Sequence, residues 1–175
     1  MENSGIVRRI DDLGRIVIPR EYRKLHGIEL GDPVEISAMG SGEIVIKKVD
    51  VKNELIKNAK KIIGSAEREI EGTLLLTDGE RWLWGKGERK NEFVDNAVTK
   101  WVKTATAQRE SYVGSGDDGE KVGLSEPTFV IFYPAIAGGD CFGALCLVSD
   151  TPFSAVVAPL ISVLAKILGE YMNKY

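Results

Sequence analysis

Histidine is nearly missing from these 175 residues: His26 stands alone, beside only two cysteines, Cys141 and Cys146. A Ser–His or Cys–His nucleophilic pair would have to be built on His26. The sequence instead puts His26 at the end of a short helix, before Gly27, where a charge interaction with the helix terminus or a partly buried ring is the expected role. Two cysteines cannot build a disulfide scaffold and fit a reducing compartment. Five residues apart on a strand, they fall on opposite faces, and no histidine completes a metal set with them. Both read as small buried residues. No apolar run approaches the roughly 18–20 residues of a membrane span, and the N-terminus has no apolar signal core. The glycine-rich stretches at 114–119 and 138–139 lack the Gly-Lys-Ser/Thr of a phosphate loop. Asp117, Asp118 and Glu120 read as a solvated loop rather than a cation site. The expectation is a cytoplasmic chain that is no enzyme, with no metal, no cofactor and no membrane contact.

What is present is ordinary globular material, 43% hydrophobic and 28% charged, which excludes wholesale disorder. The net charge of −3 hides an uneven distribution. Nine basic and nine acidic residues balance from Met1 to Lys52, so the surplus of acid belongs to Asn53–Tyr175. Within the first 25 residues six bases face four acids, and five of the six are arginine: Arg8, Arg9, Arg15, Arg20 and Arg23, with Lys24. Arginine offers a planar fork of donors suited to phosphate oxygens and to the O6/N7 edge of guanine.

The pattern divides the chain. Gly5–Ile10 and Arg15–Ile18 are β-branched runs of strand length around the turn residues of Asp11–Gly14. Pro19 opens a short helix over Glu21–Leu25. A turn at Ile28–Pro33, a strand at Val34–Ser37, a loop at Gly40–Gly42 and a strand at Glu43–Lys47 complete a ββαββ order. One 50-residue copy is close to the size at which a single core no longer suffices, and dimerisation would remedy that. Residues 53–71 change to helical periodicity, with Leu55, Ile56, Ala59, Ile62, Ile63, Ala66 and Ile70 on one stripe. That helix either covers its own domain or acts as a short coiled-coil arm. Strands are predicted at Thr73–Thr77 and Arg81–Trp84 around the Asp78-Gly79 hairpin signal, and at Thr128–Tyr133 and Phe142–Val148 around Gly138-Gly139. Helices are predicted over 92–109 and over about 155–173, with Pro159 confined to the first turn of the latter. The domains are read as 1–52, a helical linker or start of the second domain at 53–71, and 72–175. The fold class is α+β, with terminal helices packed on one face of antiparallel strands.

The run Gly5-Ile-Val-Arg-Arg-Ile-Asp-Asp-Leu-Gly-Arg-Ile-Val-Ile-Pro-Arg-Glu-Tyr-Arg-Lys-Leu-His-Gly-Ile28, followed by Gly31-Asp-Pro-Val-Glu-Ile36, resembles the AbrB-type DNA-binding domain, the looped-hinge, swapped-hairpin family of transition-state regulators and antitoxins. The whole chain is similar to sporulation regulators that join such a domain to a GAF-like sensor domain. The resemblance implies an obligate dimer with interleaved hairpins and double-stranded DNA as partner. It implies DNA contacts at Arg8, Arg9, Arg15, Arg23 and Lys24; Arg20 is added from its charge alone. It also implies readout through DNA shape and flexibility, consistent with the lack of any helix long enough to present a reading face in this segment. Asp11 or Asp12 is expected to orient Arg15.

For the second domain the expectation is a small-molecule pocket near Trp82, Trp84 and Trp101, weighed against a plain aromatic core. Trp82 and Trp84 are expected on one face of their strand. The helices at 53–71 and 155–173 are candidates for joining two dimers into a tetramer. The sequence is read as a nucleoid-associated transcription regulator of sporulation or another developmental programme. An antitoxin-type interaction protein is the alternative, disfavoured because residues 53–175 carry enough apolar periodicity to fold.

Overall fold

A computed structural model describes residues 5–66 and 69–175, and the chain separates into two units, 1–49 and 50–175. The first unit holds helix α1 (Arg20–Leu25) and strands β1 (Val34–Ala38) and β2 (Ile44–Lys48), which pair antiparallel from Val34↔Lys48 to Ala38↔Ile44. The two predicted N-terminal strands differ from expectation. Residues 5–10 and 15–19 carry no strand ladder, and only the turn between them is closed, by Asp11 N–H to Arg15 O at 3.0 Å and Gly14 N–H to Asp11 O at 2.9 Å. A strand exists by pairing, and the single chain offers these segments no partner edge. Their side chains stand open, Val7 at 89% and Val17 at 75% exposure. Among the described residues of this unit no side chain is buried.

The second unit has a five-stranded antiparallel sheet from β3 (Thr73–Thr77), β4 (Trp82–Lys86), β5 (Tyr112–Val113), β6 (Phe129–Ala137) and β7 (Asp140–Ser149), in the order β4-β3-β7-β6-β5. Helices α2 (Val51–Gly64) and α6 (Val157–Met172) lie on one face, and α3 (Lys90–Phe93), α4 (Lys100–Gln108) and α5 (Gly119–Val122) on the other. The central strands carry unbroken apolar runs, Leu74–Leu76 and Ala144–Val148, because both faces are covered there. Alternation sends Leu74, Leu76, Leu145 and Leu147 toward α2 and α6, and Leu75, Cys146, Val130 and Phe132 toward α4.

Asp50 caps α2 by accepting from Asn53 N–H at 3.1 Å, so the helix begins before residue 53, and it ends at Gly64 rather than continuing to 71. Glu67 and Arg68, in the predicted remainder, lie outside the described residues. Leu55, Ala59, Ile62 and Ile63 are buried in the unit's own core, which decides between the two readings of this helix. The predicted helix over 92–109 is broken in two. Asp95 adopts φ +69°, and its neighbours hydrogen-bond to the chain entering β4 (Trp82 N–H to Asn96 O at 3.0 Å, Val98 N–H to Glu80 O at 3.0 Å). These sheet-edge bonds displace helical ones, and Thr99 then caps α4 by accepting from Val102 N–H. β6 and β7 run longer than predicted, up to a two-residue turn in which Gly138 and Gly139 have φ +59° and +92°, the conformation that glycine adopts freely. In α6, Gly169 lets the helix approach β6 closely, since a Cβ there would lie 2.5 Å from Ile136 O.

Candidate nucleic-acid interface

The six cations predicted from sequence are all at least partly exposed, and the fold distributes them over two features. Arg20, Arg23 and Lys24 share α1, where Pro19 closes the preceding segment with extended backbone. Together they line a groove of about 390 Å³ with Ile28 and Leu30. Their i, i+3 and i, i+4 spacing on one turn and a half puts them side by side. His26 closes that helix as its C-cap and is exposed; the partly buried alternative for its ring does not hold.

Arg8, Arg9 and Arg15 belong to the two segments on either side of the Asp11–Gly14 turn. Arg15 Nε donates to Asp11 Oδ2 at 2.8 Å, and Asp11 Oδ1 accepts from Arg15 N–H at 2.8 Å and from Leu13 N–H at 3.0 Å. The backbone N–H of Arg15, and then its guanidinium, hold the Asp11 carboxyl below the usual carboxylate range. Asp11, not Asp12, orients the arginine, while 70% of its side chain stays open to a ligand. Arg8 lines a different groove, of about 400 Å³, with Ile6, Ile16, Ile18, Tyr22 and Ile46.

Sequence reasoning missed Lys48. Its Nζ donates to Gly27 O at 2.7 Å and pairs with Asp32 at 2.6 Å, while Asp32 also accepts from Glu29 N–H. The Lys48 hydrogen bond chiefly holds the Asp32 carboxyl below its ordinary value. This ties the residue after the α1 cap, and the turn that follows it, to β2. The Gly31-Asp32 turn was the visible signal; that its partner lay 16 residues on was not.

In the second unit the tryptophans do not share a pocket. A bulge sets Leu76 opposite Trp84 but Thr77 opposite Trp82, with Leu83 extra, and this turns the two rings to opposite faces. Trp82 is buried in the α4-side core, edge-on to Phe93 at 5.7 Å, whereas Trp84 packs against the α2/α6 side. Trp101 sits edge-on to Tyr112 and Phe132 at 5.3 and 5.4 Å. The aromatic-core reading describes Trp82 and Trp101.

Asp118 departs from the solvated loop expected of it. It is buried, accepts from Tyr112 O–H at 2.5 Å and from Ser115 N–H at 3.0 Å, and pairs with Lys121 at 3.2 Å. Burial raises its carboxyl, but the Tyr112 and Lys121 hydrogen bonds outweigh that and leave it below the usual range. Among the described residues no group of three or more His, Cys, Asp or Glu could hold a metal ion, and no helix is long and apolar enough to cross a membrane. Cys146 is fully buried and burial pushes its thiol well up; Cys141 is half-exposed, donating weakly to Gly143 O at 3.4 Å.

Comparison with known proteins divides the chain in the same region. The family described as "Stage V sporulation protein T C-terminal, transcription factor" matches residues 54–173. The family described as "Antidote-toxin recognition MazE, bacterial antitoxin" matches residues 7–53. Stage V sporulation protein T of Bacillus subtilis is 30% identical over 180 residues, covering 99% of this chain and all of that protein. The transition state regulatory protein AbrB of the same organism is 46% identical over 48 residues, covering 27% of this chain and 49% of that protein. Among solved structures, a type II free methionine-R-sulfoxide reductase from Thermoplasma acidophilum aligns over 72% of this chain and 97% of its own, with TM-score 0.52 and 15% identity, a likeness of fold alone. The GAF-B domain of DevS from Mycobacterium smegmatis aligns over 71% of this chain and 94% of its own at TM-score 0.49 and 20% identity. The second unit has an α+β fold.

Proposed function

Because this chain belongs to the stage V sporulation protein T family, we propose that it is a DNA-binding transcription regulator of sporulation whose first unit grips the phosphate backbone as a dimer and whose second unit tunes that grip. The observation that carries the reading is the groove on α1, where the exposed Arg20 and Lys24 and the half-buried Arg23 outnumber the one acid of the lining, Glu29. Arginine and lysine on a short, exposed element suit backbone contact and shape readout better than a long recognition helix would. The contact set is Arg8, Arg9, Arg15, Arg20, Arg23 and Lys24, and two-fold symmetry doubles it.

Dimerisation is supported by the state of the isolated first unit. It buries no described side chain, its first two segments lack strand partners, and Ile6, Ile16, Ile18 and Ile46 line an open groove. A second copy supplying its hairpin would pair those segments and fill that groove. A further step to a tetramer through α6 is part of the reading. The apolar stripe of α2 is spent on its own core, whereas Val163, Ile167 and Tyr171 on α6 are exposed. A small effector acting on the second unit, and residence on the nucleoid in the cytoplasm, complete the reading. The antitoxin alternative is not favoured, since the sporulation relative matches through both units.

The test is a gel-shift titration with salt. Contact with about 6–10 phosphates costs roughly 10³–10⁵ in affinity between 50 and 200 mM, and Arg15→Ala abolishes binding while the dimer persists. A flat salt dependence would refute the reading.

A further inference from the structure

We propose that the solvent face of α2 is a second DNA-backbone contact surface, on which Lys57, Lys60 and Lys61 neutralise phosphates flanking the segment gripped by the first unit. This rests on the DNA-binding reading above and extends it to a part of the chain that the N-terminal motif does not include.

Residues 47–61 hold six lysines against two acids, Asp50 and Glu54, in a protein whose residues 53–175 are otherwise acidic on balance. Lys52 is engaged with Asp78 at 2.8 Å. Lys57, Lys60 and Lys61 fall at i, i+3 and i+4 and so share one face. It lies opposite the buried Leu55, Ala59 and Ile62, and all three lysines are exposed, the Lys57 side chain by 72%. The groups around this face leave it positive. Glu54 is the one acid of the helix, and it already accepts from Lys57 and from Tyr175 O–H at 2.9 Å. From α6 and the residues after it come Tyr171, whose ring lies 5.7 Å beneath Lys61 Nζ, and Lys174, whose charge acts on Glu54.

The position of this face along the chain selects DNA as the occupant. Lys48 Nζ bonds Gly27 O at the end of α1, the helix that carries Arg20, Arg23 and Lys24. Asp50, the cap of α2, follows two residues later, at most about 7 Å away. Lys57 to Lys61 lie a further 11–17 Å or so along the helix. The covalent chain thus confines these lysines to within about 25 Å of Lys48 Cα, and the Lys48 side chain together with the length of α1 adds roughly 15 Å more to the α1 cations. On a polyanion with one charge per roughly 1.7 Å of axis, that is a distance over which the same duplex continues. Flexible lysines are sufficient for this role, because counterion release needs charge proximity and no shaped pocket.

The experiment compares the full chain with a Lys57→Gln/Lys60→Gln/Lys61→Gln variant on duplexes of about 20 and about 40 base pairs, by fluorescence anisotropy between 50 and 200 mM salt. Glutamine has nearly the helix propensity of lysine, and an unchanged melting midpoint confirms the fold. The expected result on the longer duplex is at least a tenfold loss of affinity at about 150 mM, with a salt slope shallower by about 3–5 per dimer; the shorter duplex binds as before. Wild-type affinity and slope on the longer duplex overturn the inference. So does an equal loss on both lengths, which would assign the effect to overall charge. Arg15→Ala, run in parallel, separates the two ideas: if it abolishes binding while the lysine variant is silent, only the α2 surface fails. If neither variant changes binding, the first unit's role fails too.

Discussion

Asp11 holds Arg15 at both ends: one carboxylate oxygen accepts the backbone N–H at 2.8 Å and the other accepts Nε at 2.8 Å. The same acid shapes the turn and aims the guanidinium. Removing it has two opposing effects on DNA affinity, the loss of a negative charge near phosphate and the loss of a preorganised arginine. Asp11→Asn keeps the turn, because its amide oxygen accepts the Leu13 and Arg15 N–H groups, and should bind DNA at least as tightly as the parent. Asp11→Ala loses the turn as well and should bind about tenfold more weakly, about 1.4 kcal/mol. Equilibrium anisotropy on both variants checks the order.

The exposed stripe on α6 yields a test of assembly. Val163 and Ile167 are 51% and 38% exposed, so a charge there costs the folded unit little. Val163→Glu and Ile167→Glu should leave the melting midpoint within a few degrees and convert a tetramer to a dimer. Multi-angle light scattering reads the mass directly, and an unchanged mass would place the assembly surface elsewhere.

Tyr112 and Asp118 give the second unit a defined pH response. The Asp118 carboxyl is held below its ordinary 3.8, so the stability it contributes is complete above that value and declines as pH falls through the lower folded value. The Tyr112 hydroxyl is held above its ordinary 10.0, first by its hydrogen bond to Asp118 and then by burial. Its contribution is therefore present below pH 10 and declines as pH rises through the higher folded value. Tyr112→Phe should lower stability at neutral pH by about 1 kcal/mol and flatten the loss at both extremes. Urea unfolding across the range measures this.

Arg89 gathers three segments of the second unit. Its guanidinium engages Glu92 at 2.8 Å, Asp150 at 3.1 Å and Glu126, and its backbone N–H donates to Thr73 Oγ1 at 3.1 Å. The carboxylates are half or more exposed, which limits each pair, but their removal from one shared cation leaves three like charges together. Arg89→Ala should cost about 1–2 kcal/mol, with much of it recovered in high salt. Thermal denaturation at two ionic strengths distinguishes this from a packing defect.

How far the sequence could be read varies element by element. The strand at Thr73–Thr77 was legible to the residue because its apolar run is bounded by turn signals, and α6 was legible from the apolar spacing of Val157, Leu160, Ile161, Leu164 and Leu168, with Pro159 leaving its start open. The helix expected over 92–109 was not, since the bonds that break it run to Glu80 and Trp82, outside any local window. Trp84 was placed on the wrong face for a similar reason: alternation is a local rule, and a single extra residue, Leu83, reverses it. The basic excess of the first 25 residues was visible in the sequence, whereas the Lys48–Asp32 pair depends on where β2 lies beside the turn.

The sequence by itself determined the family, the two-part organisation and most of the helical and strand periodicities, because these follow from residue type and short-range spacing. The tertiary structure alone decided that α2 spends its apolar stripe at home, that Trp82 is core with Trp101 half-buried against it, and that Asp118 is a buried anchor. It also decided that no described side chain of the first unit is buried within the single chain. Those outcomes depend on which surfaces meet, and contact between distant segments is a property of the folded chain that no local pattern encodes.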